Sequence, residues 1–408
     1  MSGVGSTEPP RSEGAGSAGA EGGIADLIWT GNVNDGYAIR GSVGLYDTTL
    51  RDGEQTVGVV LDPDEKLEIA KLLDELGVDR IEAGFPRVSD DDWQAVAKIA
   101  AAGLRAEVWG FSRAVPADLE ALVELGVQYS VIESPISDLK LDAIGVSRET
   151  MLERIAKAMR FADEHGIHAA FVGVDSTRAD PAFYGRVYET AVENGAKEVV
   201  VVDTLGIASP EAVRDLVGAT LQYVDGLPVH FHGHNDFGMA TASAAAAVRA
   251  GATWVHGTTT GMGERAGNAN LGEVAIALRA LYGVETNLRL DRIRAVSERV
   301  RELSGYALEP WKPVTGDTIY RRESGAVASQ FHDPPSIEPY SSELVGAERS
   351  VVLGKKSGLD SIRIKAKELG LEIADERQAE ILAAVKALGV EKRRLVTDDE
   401  FRKIVTGV

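Results

Sequence analysis

The sequence predicts a (β/α)8 TIM barrel followed by a small, mainly helical C-terminal appendage. The first observation is a rhythm that begins at Val43, where eight short β-branched or apolar runs each precede a longer helical segment. The period is about 30 residues. The second observation is that a glycine follows several of the helical segments, at Gly77, Gly126 and Gly195, as is typical of helix C-caps. An open doubly wound sheet is the alternative; the count of eight and the lack of a GxGxxG motif after the first strand favour the barrel.

Predicted strands and helices alternate along this part of the chain. Proline stands at the start of two helices, at Pro63 and Pro210, where a helix tolerates it because that position needs no N–H donor. The predicted strands are residues 43–46, 80–83, 106–110, 129–132, 169–174, 198–202, 229–231 and 253–257, and the clearest helices are 63–76, 148–164, 210–224 and 240–250.

Four regions are expected along the chain. Residues 1–24 are rich in Gly, Ser, Ala and Glu, and this composition predicts a disordered tail. The barrel is expected over residues 25–285, and a polar linker or lid region over 286–357. Residues 358–408 are expected to form a small helical subdomain.

The composition excludes several classes of function. The formal net charge of −20 predicts an acidic surface, which argues against nucleic-acid binding. The chain has no cysteine, so disulfides, a thiolate nucleophile and thiolate-bound zinc are excluded. No apolar run is long enough to cross a membrane and no secretory leader is visible, so a cytoplasmic location is expected.

In a barrel of this kind, the chemistry belongs at the C-terminal ends of the strands. Polar segments follow six of the predicted strands at that end, which ordinary loop composition does not explain. They are residues 47–55, 133–138, 175–178, 203–204, 232–234 and 261–268.

A divalent metal site is expected among these segments. His232 and His234 are two residues apart at a strand end, so both imidazoles project to the same side. Asp52, after the first strand, adds a carboxylate, and Asn268, after the eighth, could add an amide oxygen. Taken singly, the histidines could be ordinary core residues and Asp52 could simply pair with Arg51. Taken together, they favour a metal.

An α-keto acid would suit such a site, because its carboxylate and keto oxygens can chelate a cation. Arg51 places a fixed positive charge beside the metal, which would stabilise a developing oxyanion or enolate. Gln55 and Thr204 could donate hydrogen bonds to the carboxylate of the keto acid.

Four motifs resemble those of the DRE-TIM metallolyase superfamily: DTTLRDGEQ at 47–55, HGHND at 232–236, GERAGN at 263–268 and LGKKSG at 353–358. Within it, the chain resembles the group of homocitrate, isopropylmalate and citramalate synthases, and is most similar to the homocitrate synthase-like, nitrogen-fixation type. The resemblance spans about residues 43–360.

The resemblance implies a Claisen-type condensation of an acyl-CoA, usually acetyl-CoA, with an α-keto acid, followed by thioester hydrolysis to a 2-hydroxy di- or tricarboxylate. It implies that Arg51 polarises the keto group and that Asp52, His232 and His234 bind Mg, Mn or Zn, with Asn268 at or near the metal. The substrate contacts expected from the motifs are Gln55, Thr204, Ser137 and Glu264. A homodimer is also implied.

Two departures from the family pattern affect the proton-transfer groups. Val174 stands where a glutamate is usual, and Val327 stands where the family has the histidine of a Gly-Ile-His motif. A valine cannot move a proton, so His332, Tyr340 and Asp175 are the candidate replacements. A plain loop histidine is an equally good interpretation of His332.

The distal end of the keto acid is also in question. Arg113, Lys140 and Arg178 are candidates to hold a distal anion, such as a phosphono or phosphino group, and a surface salt bridge is the alternative for each. Two other functions stay open: a C–C lyase or aldolase that uses the same metal and enolate chemistry, and an inactive paralogue that binds metal but lacks the proton-transfer groups.

Overall fold

The computed structural model describes residues 23–39 and 41–407, so nearly all of the predicted tail at 1–24 lies outside the described residues. The described residues divide into two compact units, one within Asn34–Ala307 and the other formed by Gly23–Val33 together with Leu308–Gly407. This division differs from the predicted boundary at 285, since the helix Ile293–Ser304 belongs to the first unit.

Eight parallel strands form a closed barrel in chain order, which confirms the predicted fold class. The ring closes where the first strand pairs with the last, with Gly44 opposite Trp254. The strands are β1 Gly44–Asp47, β2 Arg80–Glu82, β3 Glu107–Arg113, β4 Tyr129–Pro135, β5 His168–Val174, β6 Glu198–Asp203, β7 Val229–Gly233 and β8 Trp254–Gly257.

Helices follow the strands and surround the barrel, and their ends carry the expected caps. Asp62 caps the first helix, where its side chain accepts hydrogen bonds from the backbone N–H groups of Asp64 and Glu65. Gly77 ends that helix with φ of 91°, which a residue with a side chain adopts only under strain. The helices of this unit are α1 Pro63–Leu76, α2 Asp90–Ala100, α3 Pro116–Glu124, α4 Asp138–Ala143, α5 Arg148–Glu164, α6 Pro181–Glu193, α7 Pro210–Thr220, α8 Ala240–Ala250, α9 Leu271–Tyr282 and α10 Ile293–Ser304.

Strands β3 and β4 run three residues further than the apolar pattern predicts. Their polar ends stay in the ladder, where Ser112 lies opposite Ile132 and Arg113 opposite Glu133. The sequence pattern placed the strand ends too early because the residues that face the mouth of the barrel are polar. Hydrophobic periodicity therefore fails first where the functional groups lie.

Polar and aromatic side chains fill the barrel interior below that mouth. The guanidinium of Arg80 donates hydrogen bonds of 2.6 and 3.0 Å to the carboxylate of Glu198, across the barrel from β2 to β6. The same guanidinium lies 3.5 Å from the ring centre of Trp254 and 4.6 Å from that of Trp109. His230 also contacts the carboxylate of Glu198. This Arg80–Glu198 cluster forms the floor of the barrel.

The second unit contains a short parallel pair of strands, β9 Arg321–Arg322 and β10 Ser350–Val351, and four helices, α11 Gly325–Ala328, α12 Leu359–Glu368, α13 Gln378–Lys392 and α14 Asp398–Thr406. Its core includes Ile362, Val385 and Phe401, one from each of the last three helices. The segment from Ile24 joins this unit, because the backbone of Ile28 forms a bridge to Tyr340. In the part of the chain that the structure describes, every helix is too short or too polar to span a membrane.

Candidate active site

A cleft of about 290 Å³ opens at the C-terminal ends of the barrel strands, where the fold predicts the chemistry. Its lining residues come from the loops and strand ends of the whole ring. They are Arg51, Asp52, Gln55, Phe85, Phe111, Val131, Glu133, Lys140, Val172, Val174, Val200, Thr204, His232, His234, His256 and Glu264.

Asp52, His232 and His234 form a compact group on one side of this cleft. The Oδ2 atom of Asp52 lies 3.3 Å from Nε2 of His232 and 3.5 Å from Nε2 of His234, and the two Nε2 atoms are 3.4 Å apart. Three atoms at these separations can all contact one cation at about 2.0–2.2 Å. Strand alternation places both imidazoles on one face, as the sequence predicts.

The protonation of this group suits a cation. Burial and the neighbouring His232 lower the pKa of His234 to about 4, so at neutral pH its imidazole is neutral and has a lone pair to donate. Burial raises the pKa of Asp52, but Arg51 and His232 outweigh it and hold the pKa well below its usual range. The carboxylate is therefore ionised.

Asn268 lies beside the group, and two buried oxygens there are available to a cation. Oδ1 of Asp52 and Oδ1 of Asn268 have no hydrogen-bond partner among the described residues. The side-chain amide of Asn268 is held by a 3.1 Å hydrogen bond from Nδ2 to the carbonyl of Met262, which leaves Oδ1 free. Unsatisfied buried oxygens carry a free-energy penalty unless a ligand occupies them. These residues therefore fit a divalent metal.

Arg51 is fixed between the metal-binding group and a buried carboxylate that the sequence did not single out. Its NH1 atom donates to Oδ2 of Asp52 at 3.1 Å and its Nε to Oε2 of Glu82 at 3.0 Å. Glu82 ends the short strand β2 and is fully buried. The guanidinium also lies 4.5 Å from the ring centre of Phe111. Three contacts hold this cation in one orientation.

Glu133, near the C-terminal end of β4, is a second carboxyl whose role the sequence did not reveal, although it lies within one of the polar segments. Burial raises the pKa of Glu133 to about 7, and the positive charge of Arg51 only partly offsets this. A carboxyl that titrates near neutral pH and lines a cleft is suited to proton transfer. The raised pKa of Glu133 could be seen only in the folded structure, because it is caused by burial.

Ser137, Asp175 and Arg178 form a separate cluster. Arg178 donates two hydrogen bonds to Oδ2 of Asp175, at 3.0 Å from Nε and 2.7 Å from NH2, and the Ser137 hydroxyl donates to the same oxygen at 2.5 Å. Asp175 has a φ of 68°, and its backbone N–H donates to Thr204 Oγ1. The charges of Asp175 and Arg178 offset each other. Their predicted roles in proton transfer and anion binding stay predictions.

The remaining predicted residues divide between the two units. Gln55, Lys140, Thr204 and Glu264 line the cleft, in positions from which they can contact a small substrate. His332 and Tyr340 belong to the C-terminal unit. His332 is exposed there, Tyr340 is half-buried, and a role in proton transfer stays a prediction for both.

One half of the cleft is apolar. Its wall is formed by strands β3 to β6 and by the residue Phe85 after β2, across the barrel from the metal-binding group. The rings of Phe85 and Phe111 meet edge to face, with centres 5.2 Å apart. The apolar wall, as we call it, consists of Phe85, Phe111, Val131, Val172, Val174 and Val200.

A closed (β/α)8 barrel with two histidines and a carboxylate at its mouth defines a TIM-barrel protein with a candidate metal site at the end of the barrel where such folds carry their chemistry. The family model described as HMGL-like matches residues 42–300, and the chain belongs to this family. A second model, described as homocitrate synthase post-HMGL domain-like, matches residues 314–393.

Curated relatives agree with this assignment. Homocitrate synthase AksA of Methanopyrus kandleri is 44% identical, over 89% of this chain and 92% of that protein. A putative (R)-citramalate synthase, CimA of Archaeoglobus fulgidus, is 40% identical, over 90% of this chain and 75% of that protein. These relatives confirm the predicted membership of the DRE-TIM metallolyase superfamily and the predicted class of enzyme, an acyltransferase.

Among solved structures, the HMG-CoA lyase of Bacillus subtilis superposes with a TM-score of 0.60 at 20% identity. The match covers 66% of this chain and 96% of that one. At this identity the likeness supports the barrel fold only.

Proposed function

We propose that the protein condenses an acyl-CoA, in the first instance acetyl-CoA, with a 2-oxo acid and hydrolyses the resulting thioester to give a 2-hydroxy dicarboxylate or tricarboxylate. One observation carries the proposal: the guanidinium of Arg51 lies 3.1 Å from Asp52, whose carboxylate is within 3.5 Å of both histidine nitrogens. The 44% identity between this chain and homocitrate synthase AksA supports the same type of reaction.

The metal-binding group would be Asp52, His232 and His234, with Asn268 beside it, and would hold Mg²⁺, Mn²⁺ or Zn²⁺. When bound, such a cation supplies a Lewis acid that polarises the keto group of a chelating 2-oxo acid. Gln55 and Thr204 line the same cleft and donate hydrogen bonds to the carboxylate of the 2-oxo acid.

The chain's own residues account for the charge that develops during carbon–carbon bond formation. A base removes a proton from the acetyl methyl group, and the resulting carbon nucleophile attacks the keto carbon. The electron pair of the keto bond moves onto its oxygen, where the fixed guanidinium of Arg51 stabilises it. Protonation of that oxygen gives the 2-hydroxy group, and water then cleaves the thioester to release the free thiol.

Glu133 is the proposed proton acceptor, because it is a cleft-lining carboxyl whose pKa is raised by burial to about 7. It would take the place of the groups that Val174 and Val327 cannot supply. His332 and Tyr340 remain further candidates from the C-terminal unit. A homodimer is also proposed, on the basis of the family resemblance, and light scattering of the purified protein would test it.

The deciding experiment measures free thiol released from acetyl-CoA by the full-length protein, with Mg²⁺, Mn²⁺ or Zn²⁺, across a panel of 2-oxo acids. The panel contains pyruvate, 2-oxoisovalerate, 2-oxoglutarate, oxaloacetate and phosphonopyruvate, the last because the sequence left a phosphono group open. Metal-dependent release with at least one acid is expected. Absence of release from a metal-loaded protein would contradict the proposal and favour a lyase or an inactive paralogue.

Two histidine variants provide the matched control. His234→Ala removes a metal-binding nitrogen and is expected to lose both bound metal and thiol release. His165→Ala removes an exposed histidine at the end of α5 and is expected to keep both. Equal metal content in the two purified variants would contradict the assigned metal site.

A further inference from the structure

The cleft has two chemically different halves, and this difference bears on which 2-oxo acid it accepts. The half that carries Asp52, His232 and His234 takes the carboxylate and keto oxygens, which are common to every 2-oxo acid. The variable side chain of the substrate must therefore point elsewhere. The opposite half is the apolar wall, built from strands β3 to β6.

Arg51 connects the two halves. Its NH1 atom is 3.1 Å from Asp52, and its guanidinium lies 4.5 Å from the ring centre of Phe111, a member of the apolar wall. A keto group that accepts a hydrogen bond from Arg51 is thus close to the start of the wall. The side chain next to that keto group would contact phenyl rings and valine methyl groups.

Two of the three cations that could hold a distal anion, Arg113 and Arg178, already form ion pairs with carboxylates of the protein. Arg113 forms two hydrogen bonds with Asp118, at 2.8 and 3.1 Å. Arg178 is likewise paired with Asp175. Neither arginine is among the described residues that line the cleft.

Lys140 does line the cleft, but it shares it with a carboxyl. Glu133 lies close enough to Lys140 for their charges to interact, and in the ionised form that a proton acceptor must have, its carboxylate repels a second negative charge on the substrate. Beyond the contact of Arg51 with Phe111, the half of the cleft that carries the apolar wall therefore offers little net positive charge to a distal carboxylate or phosphonate. Placing such an anion against valine and phenylalanine without a dedicated cation is unfavourable, because the anion loses its water.

We infer that the substrate of this enzyme is a 2-oxo acid with an uncharged apolar side chain, branched aliphatic or aromatic, and that the apolar wall selects it. This inference rests on the proposed function, since it assumes that a 2-oxo acid binds at the metal-binding group. The small volume of the cleft, about 290 Å³, favours a short side chain such as that of 2-oxoisovalerate.

Direct binding tests the inference apart from turnover. The full-length protein, loaded with Mn²⁺, is titrated calorimetrically with 2-oxoisovalerate and with a matched pair, 2-oxoglutarate and 5-methyl-2-oxohexanoate. The members of the pair differ only in a carboxylate or an isopropyl group at the distal end. We expect 5-methyl-2-oxohexanoate to bind at least about tenfold more tightly than 2-oxoglutarate, because a single group unsuited to a pocket typically lowers affinity by this factor.

A variant of the wall gives an independent check. Val174 is half-buried and lines the cleft, so Val174→Lys places a cation in the wall. We expect it to bind 2-oxoglutarate more tightly than the unaltered protein does and to lose affinity for 5-methyl-2-oxohexanoate. Val192→Ala, a half-buried valine on the outer helix α6, is the control and should change neither affinity.

The outcomes separate this inference from the proposed function. Equal or tighter binding of 2-oxoglutarate by the unaltered protein, or no binding of any of the three acids, would overturn the apolar assignment. Selective binding of the apolar acids without thiol release from acetyl-CoA would leave the side-chain assignment standing and refute the condensation.

Discussion

The Nε atom of Arg51 donates a hydrogen bond of 3.0 Å to Oε2 of Glu82, a fully buried carboxylate at the end of the second barrel strand. The same carboxylate accepts a hydrogen bond from the hydroxyl of Thr48. Glu82 therefore determines where the guanidinium points, although it is absent from the residues that line the cleft in the described structure. It is a positioning residue.

Replacement of this carboxylate is expected to impair turnover more than binding. In Glu82→Gln the amide offers Arg51 a weaker acceptor, so the guanidinium is held less firmly at the keto oxygen. We expect kcat to fall by about 10–100-fold, the range seen when a supporting group behind an active-site residue is lost, with a smaller change in KM. Steady-state thiol release measures both quantities.

The control for this prediction is Asp118→Asn, which weakens another pairing between an arginine and a buried carboxylate, with the exposed Arg113 outside the cleft. It is expected to lower stability without a comparable loss of kcat. If both variants lost kcat equally, the effect of Glu82 would be structural only.

Gly263 leaves the space that Asn268 occupies beside the metal-binding group. A Cβ atom at this position would lie 2.1 Å from Nδ2 of Asn268 and 3.2 Å from Oδ1 of Asp52. We expect Gly263→Ala to displace the amide and to weaken Mn²⁺ binding by at least about tenfold, as measured by titration of the metal-free protein.

The matched control is Gly238→Ala. Gly238 also has a positive φ, of 73°, but an added Cβ meets no described atom within 4 Å. Both substitutions strain the backbone, by about 1–3 kcal/mol, and only the first affects the metal. Equal Mn²⁺ affinity in the two variants would contradict the assignment of Asn268 to this site.

The raised pKa of Glu133 predicts a pH dependence of the rate. A proton acceptor must be ionised, so activity is expected to rise with pH around the pKa of about 7 that burial gives this carboxyl. Arg51, Lys140 and Arg113 favour ionisation and Glu82 opposes it. A bound divalent cation adds positive charge, so the midpoint in the loaded enzyme should lie below 7.

Glu133→Gln is expected to remove the rise of the rate with pH near neutrality, which we call the ascending limb of the pH–rate profile. It should also lower kcat by about 10²–10⁴-fold, the usual contribution of a general base. Glu264→Gln changes another carboxyl that lines the cleft, but one that is exposed, and it should keep the limb. A profile unchanged by Glu133→Gln would assign the proton transfer to another group.

The barrel floor predicts an acid-sensitive contribution to stability. Burial raises the pKa of Glu198, but His230, His168 and Arg80 outweigh it, so the pKa falls far below its usual 4.5. A depressed carboxyl pKa stabilises the fold above pH 4.5, and this stabilisation is lost as the pH falls through the folded-state pKa.

We expect Glu198→Gln to lower the free energy of unfolding by about 3 kcal/mol at pH 7, because it breaks the buried ion pair and leaves Arg80 paired only with the partly exposed Glu107. The difference from the unaltered protein should shrink below pH 4.5, where the carboxyl begins to protonate in the unfolded chain. Urea unfolding measures this, with the exposed Glu189→Gln as a control expected to change little. A pH-independent difference would contradict the charge argument.

The sequence predicts the fold and the metal-binding group because both follow from short-range periodicity. Strand alternation places His232 and His234 on one side, and the closed ring brings Asp52 to them. Glu82 was missed because a single charged residue at the end of a three-residue strand carries no pattern. The pairing of Arg178 with Asp175, three residues apart, was within reach of a spacing argument.

The apolar wall could not be predicted from the sequence, for a different reason. Its members come from strands that are far apart along the chain, and each valine taken alone is typical of any buried strand. Only the register between strands shows that they meet on one side of the cleft. The pKa of Glu133 is similarly a property of the packed site and not of the segment around it.

The Arg80–Glu198 floor also affects the order of events in turnover. Among the described residues, the interior below the cleft is filled by that ion pair and by the rings of Trp109 and Trp254, so the barrel offers no second entrance from below. Under the proposed condensation, both reactants would therefore enter through the same mouth, and the small 2-oxo acid would have to bind before the bulky acyl-CoA. The coenzyme product would then have to leave before the new hydroxy acid.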